Sequence, residues 1–118
     1  DYSDKLITPG FIDAHIHSTQ TSAVGAYGEK LLEWLDNYVY PSEVAFNSDE
    51  SAQIEFGILL NQIFRNGTTT ICAYLPSSYD GADIVFDLAH QFNMRAVMGN
   101  TIMTDGNPQM ITDTETSM

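Results

Sequence analysis

Two histidines stand one residue apart in Pro9-Gly10-Phe11-Ile12-Asp13-Ala14-His15-Ile16-His17. The apolar residues around them, Ile7, Phe11, Ile12 and Ile16, are strand formers. Alternate side chains of a strand point the same way. His15 and His17 are therefore expected on one face, with Ile16 on the other. Two imidazoles converging on one face can share a metal ion, and imidazole suits zinc, iron and nickel. The same residues also read as a pair of partly exposed strand histidines. Asp13, two residues earlier on that face, either supports a ligand from behind or caps the strand start. A bound zinc would lower the pKa of its water to about 7 and polarise a substrate. Such a catalytic zinc commonly takes three protein ligands and keeps one position open.

Placing these groups needs a framework, and the rest of the chain supplies β and α segments in alternation. Thr8-Pro9-Gly10 reads as a bend that starts the strand, and Lys5 to His17 as the first strand. Ser18 to Gly28 is small and polar, hence a loop. Glu29 to Val39 carries Leu31, Leu32, Leu35, Tyr38 and Val39 at helical spacing, and Pro41 stops or bends that helix. Trp34 sits beside the stripe and reads as packing between helix and sheet. Asn47 to Asn66 is the clearest helix. Asn47 and Glu50 form a capping box, and Ala52, Phe56, Leu59, Leu60, Ile63 and Phe64 the buried stripe. Arg65 suits the negative end and Gly67 the stop.

Thr68 to Tyr74 is rich in β-branched residues and reads as the second strand, with Cys72 a small buried hydrophobe rather than a nucleophile. Leu75 to Gly81 is a loop. Ala82 to Phe92 is a helix with Ile84, Val85, Leu88 and Ala89 inward, His90 in its last turn and Asn93 as its left-handed stop. Arg95 to Thr101 is the third strand. Ile102 to Met118, with Gly106-Asn107-Pro108, is irregular. Strand, long helix and second strand make a parallel βαβ unit.

Sixteen acidic residues against four basic ones give a formal charge of −12. Such a surface repels phosphate backbones and anionic lipid, so neither nucleic acid nor membrane is the expected partner. An apolar share of 43% is ordinary for a folded chain. No apolar run approaches the roughly 20 residues of a membrane span. There is no leader pattern at Asp1. The single cysteine, Cys72, excludes an internal disulfide and fits a reducing compartment, the cytoplasm.

The run from Pro9 to His17 resembles the signature that opens the catalytic barrel of the amidohydrolase superfamily, metal-dependent hydrolases and deaminases on a (β/α)8 barrel. Within it, His15-Ile16-His17-Ser18-Thr19-Gln20, Leu31-Leu32-Glu33-Trp34-Leu35, Tyr40-Pro41-Ser42-Glu43 and Arg65-Asn66-Gly67-Thr68-Thr69-Thr70 resemble the guanine deaminases. A full barrel of this kind needs about 250 residues. The 118 residues here are thus expected to be an N-terminal fragment, residues 1–118, covering about the first three β/α units, with 102–118 irregular. A small self-contained α/β domain is the other reading of the length.

The resemblance implies an α/β fold, a partial (β/α)8 barrel, and a parent enzyme that hydrolyses guanine to xanthine and ammonia through a metal-activated water. It implies one divalent metal, zinc, with iron as the alternative, held by His15 and His17. Active sites of such barrels are built from loops at the C-terminal strand ends. That places His17, Ser18, Thr19 and Gln20 at the substrate. The Gln20 amide offers a donor and an acceptor, which suits a purine edge. A third histidine, an aspartate ligand, a glutamate proton shuttle and a purine-gripping arginine are implied on later strands. No catalytic residue is therefore assigned within this chain, and the segment alone is expected to be inactive. A homo-oligomer, a dimer at full length, is expected. The competing readings are a cytosine, hydroxyatrazine-type or S-adenosylhomocysteine-type deaminase, and a non-catalytic α/β segment with two incidental histidines.

Overall fold

A computed structural model of the chain describes residues 1–28, 30–46 and 49–113, with Asp49 as backbone only. Its centre is a sheet of three parallel strands in sequential order, β1 (Phe11–His17), β2 (Thr68–Leu75) and β3 (Arg95–Asn100). Parallel strands need crossovers. The first runs through three segments. These are α1 (Leu31–Trp34) with a π-helical turn over Leu35–Val39, then α2 (Tyr40–Ala45), then the long α3 (Asp49–Arg65). The second crossover is α4 (Tyr79–Gln91). Strand, helix, strand, helix, strand in sequential order matches the first units of the (β/α)8 barrel that the resemblance implies.

The helices cover one face of the sheet. Ala52, Phe56, Leu59 and Leu60 of α3 and Ala82, Val85 and Ala89 of α4 are buried against Ile71, Ala73 and Leu75 of β2. Ile16 of β1 and Ala96 and Met98 of β3 pack against the same cluster. The alternation of strand side chains then sends Cys72, Tyr74, Val97 and the two histidines to the opposite face.

Several expected boundaries move, each for a local reason. The first strand begins at Phe11, not Lys5. Its partner β2 begins at Thr68, opposite Phe11, so residues 5–10 have no strand to pair with among the described residues. Gly10 is needed for contact rather than for a bend. A Cβ there would overlap Oγ1 and Cγ2 of Thr69 and lie 2.8 Å from its Cβ. The helix expected over Glu29 to Val39 starts at Leu31 and does not stop at Pro41; with the π-helical turn it runs on to Ala45. Pro41 lies at the first positions of α2, and Tyr40 N–H reaches back to the Leu35 carbonyl in the widened turn. That turn accommodates a ring that would clash with the carbonyl four residues back in a regular helix. The apolar stripe of this segment is not an inward face either. Leu31 and Leu32 are 69% and 73% exposed, and only Val39 is buried.

The helix expected from Ala82 starts at Tyr79, because Ser78 caps it, its Oγ accepting from Gly81 N–H at 3.3 Å. Cys72 is half-buried on the sheet face away from the helices rather than in the core. Gly67 at φ +87° and Asn93 at φ +54° stop α3 and α4 in the left-handed region, as expected. The Asn47 cap lies outside the described residues. Residues 102–113 are irregular, tied by a hydrogen bond from Thr112 N–H to Met103 O at 2.9 Å.

Two outcomes follow from this packing. Phe11, Ile12 and Val97 are 61%, 72% and 70% exposed, and among the described residues β1 and β3 both end the sheet with unpaired edges. The 118-residue chain expressed alone is expected to self-associate in sedimentation velocity; a monomer that melts cooperatively would contradict this. In the full-length protein, Gly10→Ala is expected to cost about 1–3 kcal/mol by overpacking against Thr69, read as a lowered midpoint in denaturant.

Candidate metal and ligand site

β1 delivers both histidines to the C-terminal end of the sheet. Its pairing with β2 sets His17 opposite Tyr74. The His15 and His17 rings lie 5.3 Å apart, centroid to centroid. Tyr74 packs on both, stacked at 18° and 5.0 Å on His17 and tilted at 4.8 Å from His15. A β2 residue thus braces both imidazoles. Sequence reasoning missed Tyr74; the only signal was its place at the end of a β-branched run.

Asp13 settles between its two expected roles. Its Oδ1 accepts a hydrogen bond from His15 N–H at 3.1 Å. The β1–β2 register shifts between Asp13 and Ile16, so the carboxylate satisfies a backbone group where the ladder is irregular. It steadies the backbone that carries His15 and makes no ring contact.

The loop after β1 is the second component. Ser18 and Thr19 are buried, at 0% and 2% exposure. Ser18 N–H and Oγ both donate to Tyr74 O, at 3.0 and 3.2 Å. Thr19 Oγ1 is buried without a partner among the described residues. A single 3-10 turn, Thr21–Ala23, follows. Helix α2 clamps this loop. Ser42 Oγ donates to Thr19 O at 2.6 Å and sits 2.7 Å from Ser22 Oγ. With its one proton committed to Thr19, Ser42 accepts from Ser22. The neighbouring Glu43 accepts from Gln20 Nε2 at 3.2 Å.

An open cavity of about 390 Å³ lies over these groups, lined by His15, His17, Gln20, Thr21, Trp34 and Leu59 among others. That volume falls in the range of small-molecule sites. Trp34 is a wall of the cavity, not the core residue expected; its Nε1 donates to Ala26 O at 3.0 Å, pinning the far side of the loop. Of the sequence-predicted residues, His15, His17 and Gln20 come together at the cavity. Ser18 and Thr19 are buried and do not line it. His90 is exposed in the last turn of α4, away from the strand ends.

The donor set suits a metal. Burial pushes the His17 imidazole below its ordinary value, with the Glu43 charge opposing and His15 adding to the depression. A neutral imidazole is the form that ligates. Two imidazoles on one tetrahedral zinc, at Zn–N of about 2.0–2.1 Å, place their ring centroids about 5 Å apart, close to the observed 5.3 Å. Among the described residues no third His, Cys, Asp or Glu joins them. The candidate donors among the described residues are thus these two imidazoles.

The model of the amidohydrolase family matches residues 6–117. The chain is 40% identical over 117 residues to the guanine deaminase of Escherichia coli (strain K12), covering 99% of this chain and 27% of that protein. It is 35% identical over 108 residues to a 5-methylthioadenosine/S-adenosylhomocysteine deaminase of Haloarcula marismortui, covering 90% of this chain and 24% of that protein. The crystal structure of a guanine deaminase from C. acetobutylicum with bound guanine superposes with a TM-score of 0.87 at 28% identity, over 92% of this chain and 26% of that one. The chain thus spans about a quarter of the length of the curated relatives it matches.

The Ser42 clamp has a direct test. In the full-length protein, Ser42→Ala removes two hydrogen bonds and leaves a buried carbonyl unpaired. It is expected to cost on the order of 1–2 kcal/mol and to speed amide hydrogen exchange across residues 19–23. Unchanged exchange there would show that α2 does not hold the loop.

Proposed function

The chain belongs to the amidohydrolase family, and from that premise we propose that it is the metal-holding N-terminal part of a guanine deaminase. The observation that carries the reading is the convergence of His15, His17 and Gln20 on one cavity at the strand ends. The family is metal-dependent. Zinc is the metal proposed, since imidazole ligands suit it and the two rings stand at a separation compatible with one tetrahedral ion. When bound, it supplies a hydroxide at neutral pH and polarises the substrate.

This chain's residues then have separate tasks. His15 and His17 are the two ligands, and Tyr74 and Asp13 keep them aligned. Gln20, together with the inner side of His17, meets the substrate. Ser18 and Thr19 form the buried footing that sets the height of Gln20 above the strand. Trp34 and Leu59 give the cavity apolar walls that suit a flat ring. The remaining ligands, the proton shuttle and the purine-gripping group belong to the part of the protein outside this segment, so the segment alone is expected to turn nothing over. Guanine as substrate is supported by the names and extent of the relatives. The acidic surface is compatible with a neutral base. A cytoplasmic homodimer completes the reading, with the lone Cys72 in keeping with a reducing compartment.

The Haloarcula relative supports a second reading, a deaminase of adenosine-type thioethers. A substrate panel on the full-length protein separates the two. Ammonia release from guanine, with little from S-adenosylhomocysteine or cytosine, is expected; the reverse pattern would reject guanine. Replacing both His15→Ala and His17→Ala is expected to remove bound zinc, measured by elemental analysis, and at least about a thousandfold of activity, since the metal supplies several kcal/mol of transition-state stabilisation. Unchanged zinc in the double variant would leave the histidines incidental.

A further inference from the structure

Glu43 belongs to α2, outside the strand ends, and is only 8% exposed. Its Oε1 accepts a hydrogen bond from Gln20 Nε2 at 3.2 Å. A carboxylate offers only acceptors, and an amide oxygen has no proton to give. The contact therefore dictates which end of the Gln20 amide faces α2. One Nε2 proton goes to Glu43; Oε1 and the second N–H remain for a ligand. Gln20 lines the cavity together with both histidines, whereas Glu43 does not. The adjacent Ser42 holds the carbonyl just before Gln20, at 2.6 Å. Two consecutive residues of α2 thus fix the backbone entering Gln20 and the side chain leaving it.

An unanchored primary amide can turn end for end, exchanging its donor and its acceptor within nearly the same volume. Such a group reads a hydrogen-bonding edge without regard to polarity. We propose that Glu43 is a positioning residue that fixes the polarity of the Gln20 amide. The pocket is thereby made to favour a heterocycle edge of one donor–acceptor order over the same shape with that order exchanged. The inference rests on the purine deaminase reading and sharpens it. Amino-oxo purines come in such pairs: guanine carries its amino group at C2 and its oxo group at C6, and isoguanine carries them the other way round. Against a fixed amide the wrong isomer sets donor against donor or acceptor against acceptor. Against a free amide the mismatch is relieved by a flip.

The test uses the full-length zinc-loaded protein as wild type, Glu43→Gln, Gln20→Ala and the double variant. The quantities measured are kcat and KM for guanine and the inhibition constant of isoguanine. Glu43→Gln preserves size and gives the partner a donor of its own, so Gln20 can be held either way round. It is expected to raise KM for guanine on the order of tenfold with kcat changed less, at wild-type zinc content. The preference for guanine over isoguanine should narrow by a similar factor. Glu43→Asp, which withdraws the carboxylate by one methylene, is the second variant and should move the same two quantities in the same direction.

In the Gln20→Ala background Glu43→Gln should leave the guanine–isoguanine preference where Gln20→Ala alone puts it, because the amide whose polarity it fixes is gone. An equal penalty in both backgrounds, or an unchanged preference, would make Glu43 a structural residue of α2 and overturn the inference while guanine turnover by the wild type still stood. No ammonia from guanine with the wild type would overturn the deaminase reading, and this inference with it.

Discussion

The register of β1 on β2 is the constraint from which the site follows. Two histidines on a strand share a face only while that strand keeps its pairing, and a slip of one residue would send both to the helix-covered side. The pairing is tied at each end. Phe11 N–H donates to Gly67 O at 2.8 Å, and Ser18 N–H donates to Tyr74 O at 3.0 Å. At the lower end Gly67 can adopt φ +87°, and Gly10 leaves room for Thr69. At the upper end Tyr74 lies directly opposite His17 and packs on both imidazoles. The features that end α3 and start β2 therefore also fix where the candidate ligands stand.

The helical segment before α3 does a different job. In a β/α repeat the helices normally bury an apolar face against the sheet, as α3 and α4 do. The segment from Leu31 to Ala45 buries little of its apolar stripe and gives polar contacts to the loop after β1 instead. Ser42 and Glu43 hold one side of that loop and the Trp34 indole the other. The π-helical turn and Pro41 set the direction in which α2 leaves α1, which decides whether Ser42 and Glu43 reach the loop at all. Sequence patterns built to detect core packing are poorly suited to an element whose task is positioning.

That distinction explains what the sequence disclosed. The face shared by His15 and His17, the buried stripe of α3, the inward residues of α4 and the left-handed stops at Gly67 and Asn93 were legible, because each follows from periodicity or from one residue's backbone preference. Gln20 was singled out through the resemblance, and it lines the cavity beside both histidines. Glu43 and Tyr74 were not, since their roles come from contacts across 23 residues and across a strand pair. Trp34 read as core because a large aromatic beside an apolar stripe usually is. The start of α4 was missed because Asp80-Gly81 has the composition of a turn, while the capping role of Ser78 outweighs it. The strand's early residues were over-extended because Leu6 and Ile7 have β propensity and no neighbour to pair with; they are 90% and 77% exposed.

The claim on which everything else rests is that His15 and His17 grip one metal ion from β1. Anomalous diffraction at the zinc edge from crystals of the full-length protein measures this directly. A single peak about 2.0–2.1 Å from a ring nitrogen of each histidine, with Tyr74 still stacked on His17, is the predicted result. A metal coordinated elsewhere with both imidazoles unligated, or the two rings turned away from each other, would contradict it.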